Sequence, residues 1–117
     1  MLLFNPKTYR GGHADAHTNG MLQAVTDWFE KRGLERLKAD YHDRAWNYDF
    51  VDFMKSEQVL ATLMTPEGYG ENAAWNTRRN VEFAEIAAFY GITYWYTFQV
   101  SMLGLGPIFN GDNEKVK

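Results

Sequence analysis

A chain of 117 residues with 45% hydrophobic and 23% charged side chains has the composition of an ordinary globular domain, and its length suits one domain. The net charge of −3 argues against nucleic acid as a main partner, since phosphate recognition calls for a basic face. The lack of cysteine excludes disulfides, thiolate metal sites and a cysteine nucleophile. The apolar start Met1-Leu2-Leu3-Phe4 is too short for a secretory signal and has no basic leader, so a cytoplasmic protein is the expectation.

Taken in order, residues 1–17 carry Pro6, Gly11 and Gly12 without a sustained period and are expected to be irregular. Thr18 or Asn19 is the expected cap of a first helix, in which Leu22, Val25 and Phe29 recur at helical spacing. Leu37 and Tyr41 continue the phase of Phe29 through Gly33, so that glycine either ends the helix or bends a longer one. A second helix is expected from Asn47 or Asp49, using Phe50, Phe53 and Met54 and then Leu60 and Leu63. Thr65-Pro66-Glu67-Gly68-Tyr69-Gly70 has the composition of a turn. Asn76 or Thr77 then caps a third helix running to Tyr90, on which Arg78 and Glu82 are placed to pair on the surface.

From Phe89 to Phe109 the chain runs 21 residues without a charged side chain. Gly91 is expected to stop the preceding helix in the left-handed conformation. A fourth helix over Ile92–Leu105 follows, ended by glycines and Pro107. Thr93, Thr97, Gln99 and Ser101 dilute it and no Lys or Arg cluster flanks it, so it reads as the most buried core helix and not as a membrane span. Asn113-Glu114-Lys115-Val116-Lys117 resembles a capped first turn of one more helix. No segment alternates with a period of two over strand length. The expected class is all-α, a bundle of about four principal helices around a central apolar helix, in a single domain spanning residues 1–117.

Candidate chemistry is sparse. His13 and His17 flank Asp15 at metal-ligand spacing, but no third ligand accompanies them and no metal is expected. Asp40-Tyr41-His42-Asp43 sets a histidine among carboxylates, as a polar helix end also would. Gly104-Leu105-Gly106 lacks the strand and third glycine of a dinucleotide fingerprint and reads as a helix terminator. Glu85 reads as a partly buried carboxylate bonded to a neighbouring helix, and Gln99 as a buried amide that either bonds another helix or faces a ligand channel. No nucleophile stands with a base, and no acid with a base.

The second half of the chain resembles the N-terminal helical domain of the acyl-CoA dehydrogenase family. Thr65-Pro66-Glu67-Gly68-Tyr69-Gly70 looks like the family's Pro-Glu-x-Tyr-Gly turn, and Glu82 to Tyr90 resembles the helix that follows it. Leu103-Gly104-Leu105-Gly106-Pro107-Ile108 is similar to the small-residue end of the next helix, and Asp112 to Lys117 to the polar start of another. The match covers Trp46 to Lys117; Tyr94-Trp95-Tyr96-Thr97-Phe98 departs from it in being denser in aromatics than many relatives. The resemblance implies the first domain of a three-domain FAD flavoenzyme that oxidises an acyl-CoA to the 2,3-enoyl-CoA. It implies further that flavin and catalytic base belong to the other domains, so no catalytic or cofactor-binding residue is expected in this chain. Trp95, Gln99 and Leu103 match positions lining the inner end of the acyl pocket, and their i, i+4, i+8 spacing puts them on one helix face. The partners so implied are acyl-CoA, the remaining domains and a further copy in a homo-oligomer, with no nucleic acid and no membrane span. The alternative reading is a free-standing helical interaction module, because a shared fold does not fix function.

Overall fold

The computed structural model describes residues 4–71 and 73–116 and is all-helical, with no strand among the described residues. The elements in order are α1 (Ala16–Arg32), α2 (Leu34–His42), α3 (Tyr48–Ser56), α4 (Val59–Met64), α5 (Thr77–Tyr90) and α6 (Ile92–Asn110). The second expected helix is thus divided, while the first ends at Gly33, one of the two outcomes its sequence left open. Gly33 ends the first with φ +79°, a backbone conformation side chains resist; beyond it Leu37 returns to the core, but Tyr41, expected to keep the same phase, is 72% exposed. The second divides at Gln58, which adopts a left-handed conformation with φ +53°, without a glycine or proline to announce it.

The first cap lies earlier than expected. Asp15, not Thr18 or Asn19, accepts from the backbone N–H groups of His17 and Thr18 and from the Thr18 hydroxyl. Those bonds, the hydroxyl first, hold the Asp15 carboxyl below the usual aspartate range. A carboxyl so lowered stabilises the fold when ionised; that contribution is present above its unfolded pKa and is lost as pH falls through the folded value. The urea midpoint is therefore expected to drop as pH falls below about 4, and Asp15→Asn should remove part of that drop. An identical pH profile for the variant would show that Asp15 does not couple folding to acid.

Asn76 caps α5 as expected, accepting from the Arg79 N–H. Gly91 does separate α5 from α6, but through an extended backbone at φ 171°, not a left-handed one. What makes it a glycine position is space, since a Cβ there would stand 3.1 Å from the Tyr94 ring. α6 runs past Gly104, Gly106 and Pro107 to Asn110. Proline removes the donor for the carbonyl of Leu103, which is exposed, so solvent can replace the bond and the helix adds another turn. Past α6, Asn113 accepts from the Lys115 N–H in a turn, and no further helix begins among the described residues.

The core is centred on α1, contrary to the expected central position of α6. Met21, Leu22, Val25 and Phe29 of α1 are buried with Phe50 and Met54 of α3, Leu63 of α4 and Phe83, Ile86 and Ala87 of α5. Phe29 stacks on Tyr90 at 4.5 Å and lies edge-on to Tyr94 at 5.0 Å and beside Phe50 at 5.2 Å, joining four helices through rings. Of α6 only Tyr94 and Phe98 are buried. Its Ile92, Tyr96, Val100 and Leu103 share one face and are exposed, because the helix packs on α5 and α4 by the opposite side alone. No helix of the described residues is long and apolar enough to cross a membrane.

Candidate functional site

Trp95, Gln99 and Leu103 rise along α6 at the border between its packed side and its exposed face. Trp95 and Gln99 are half-buried, and Leu103 is 64% exposed. Gln99 is thus not the buried amide expected, and the row is not sealed within the bundle. Two clefts flank the far half of the same helix. One, of about 560 Å³, lies between α4 and α6 and is lined by Leu60, Met64, Ser101, Leu105 and Ile108. The other, of about 450 Å³, opens between α6 and the Thr65–Gly70 turn, with Pro66, Trp75, Met102 and Phe109 in its walls. None of the three row residues lines either cleft.

His13 and His17, at metal-ligand spacing in the sequence, turn to different partners. His13 Nε2 lies 2.6 Å from Glu82 Oε2, whereas His17 Nε2 lies 3.1 Å from the Thr62 hydroxyl. Among the described residues no group of three or more His, Asp or Glu side chains is placed to hold a metal ion. Glu82 also accepts from the Tyr9 phenol at 2.8 Å, so it turns to the N-terminal segment and not to Arg78. Burial, reinforced by that hydrogen bond and the carboxylate charge, keeps the Tyr9 phenol protonated well above its ordinary range. Asn19 completes the clasp. Its side-chain oxygen accepts from Gly12 and His13, and its amide donates to the His13 carbonyl at 2.6 Å. A Cβ on Gly11 would stand 2.4 Å from that same oxygen, so glycine there lets the loop close over α1. With His13 nearly sealed and Glu82 doubly engaged, the cluster fastens residues 9–13 to α5 and offers no free acid or base.

Glu85, expected to be partly buried and bonded to a neighbouring helix, is exposed and accepts instead from the Phe4 N–H of the irregular N-terminal segment. Asp40 is committed to Arg32 and Arg36, and Arg32 also reaches Asp49, while His42 lies edge-on to the Tyr41 ring. The sequence reading missed a third cleft, of about 510 Å³, between α2 with the α2–α3 connection and the α5–α6 junction. Its signal was the interleaving of rings and cations from Lys38 to Tyr48. Comparison with protein families, curated proteins and solved structures found no match for this chain.

Proposed function

We propose that this chain is the N-terminal helical domain of an FAD-dependent acyl-CoA dehydrogenase, contributing one wall of the acyl pocket and packing against the enzyme's other domains. The observation that carries the reading is the open face of α6. Its exposed Ile92, Tyr96, Val100 and Leu103 form an apolar strip beside Trp95 and Gln99, as expected of a helix with further protein or an acyl chain against it. The order of the turn, helix and small-residue landmarks from Thr65 to Ile108 supports it independently. In this reading Trp95 and Leu103 supply apolar contact to the chain of the substrate and Gln99 supplies a polar contact. FAD and the catalytic base belong to other domains, and no residue of this chain is assigned to either. The same open face favours a second reading, a helical interaction module that covers α6 with a partner and catalyses nothing.

The natural gene product that contains this chain separates the two. For the dehydrogenase it should be yellow and should reduce an electron acceptor when given an acyl-CoA, with Leu103→Phe altering the chain-length preference. A colourless product that reduces no acceptor would leave only the interaction module. The 117-residue chain alone is expected to bind no flavin tightly and to show no dehydrogenase activity; a yellow preparation of it that turned over acyl-CoA would overturn the division of labour between domains.

A further inference from the structure

The cleft between α2 and the α5–α6 junction is separate from the α6 row and from the His13–Glu82 clasp. At about 510 Å³ it falls within the roughly 300–1,000 Å³ usual for small-ligand sites. Its floor is apolar and firmly held, since Leu37 and Tyr94 are buried and Tyr90 is stacked on Phe29. Tyr41, in the last turn of α2, and Trp46, on the α2–α3 connection, also line it and are 72% and 70% exposed, two large flat side chains left in water. Exposed rings over an apolar floor offer stacking surface to a flat aromatic body.

The charges around the cleft are unequal. Asp40 is the acidic group in the lining, and it is already neutralised by Arg32 at 2.6 Å and Arg36 at 3.0 Å. Lys38 and Arg44 also line it. Lys38 has a 3.4 Å contact with Glu35, but both side chains are exposed, and a pair of that kind holds a lysine weakly. Arg44 forms no ion pair with a described residue and is fixed at the edge by a backbone φ of +53°. Two available cations beside an apolar, ring-lined cleft, with the carboxylate already satisfied, complement a negative group attached to a flat apolar body. From this we infer that the cleft binds a small aromatic anion, its rings between Tyr41, Trp46 and Tyr94 and its carboxylate, sulfonate or phosphate at Lys38 and Arg44.

Naphthalene-2-sulfonate is a suitable probe, with 1-naphthylmethylammonium as its cationic counterpart, each titrated into the isotope-labelled chain and followed by amide and indole shifts. The sulfonate should shift the Trp46 indole N–H and the Thr93 amide saturably, with Kd of about 1 mM or tighter. The ammonium probe should bind at least tenfold more weakly. The double variant Lys38→Gln/Arg44→Asn should weaken the sulfonate at least tenfold; asparagine tolerates the left-handed backbone at position 44, and both side chains are exposed. Trp46→Ala, also at an exposed position, should weaken both probes alike. Equal affinity for the two probes, an unchanged Kd in the double variant, or shifts confined to the Tyr96, Val100 and Leu103 part of α6 would each overturn the assignment.

Discussion

Phe29→Ala is expected to destabilise the protein by about 3–5 kcal/mol, the usual range for removing a large aromatic from a packed core. The side chain is fully buried and its ring touches Tyr90, Tyr94, Phe50 and Trp28, which come from three further helices as well as its own. Those neighbours are themselves rings held by several partners, so the vacated space cannot collapse cheaply. Trp95→Ala removes a larger side chain, yet only a half-buried one, and should cost clearly less. Urea unfolding of the two variants beside the parent chain measures both. Equal losses would return α6 to the centre of the fold, and a Phe29→Ala loss below about 1 kcal/mol would show that the ring cluster contributes little.

That contrast marks where the sequence stopped being informative. Leu22, Val25 and Phe29 were recognisable as a core stripe because their spacing alternates with polar positions, and α1 buries that stripe. Ile92 to Phe109 has no such alternation, so composition indicated apolar surface without indicating which side would be covered. A helix apolar on all sides is compatible with a central position or with an open face, and α6 has the open face. The row Trp95, Gln99, Leu103 was legible as residues sharing a face; its lying at the edge of that open face depends on α4 and α5 packing from the opposite side. Asn76 and Gly33 were readable because cap and break chemistry is local. The His13–Glu82 contact joins residues 69 apart in sequence and left no local trace. Gln58 breaks a helix with a residue that gives no warning of it.

Arg79 carries the second large effect, and its reason begins at Pro66. α4 has six residues and ends at Met64, so its last carbonyls lack donors from their own helix. The carbonyl of Thr62 would look four residues on for its partner, where Pro66 has no N–H. Arg79 supplies the donor instead, reaching Thr62 O at 2.6 Å and Ala74 O at 2.8 Å, while the neighbouring Asn80 amide donates to Leu63 O at 3.1 Å. The first turn of α5 thereby caps α4, with a positive charge at the negative end of that helix. Opposing this, Arg79 is buried at 3% exposure and burial lowers its pKa, though an arginine stays charged regardless. Replacing buried ionic groups by apolar ones is sometimes neutral, so the sign depends on which effect is larger. The buried Thr62 carbonyl losing a charged donor costs about 1–3 kcal/mol, while the exposed Ala74 can turn to water, and methionine relieves only part of the desolvation. Arg79→Met is therefore expected to destabilise by roughly that amount and to speed amide exchange at Leu63 to Pro66's neighbour Thr65 before the rest of the chain. A variant as stable as the parent, with exchange in α4 unchanged, would mean that the carbonyls find other donors and that α4 does not depend on α5 for its end.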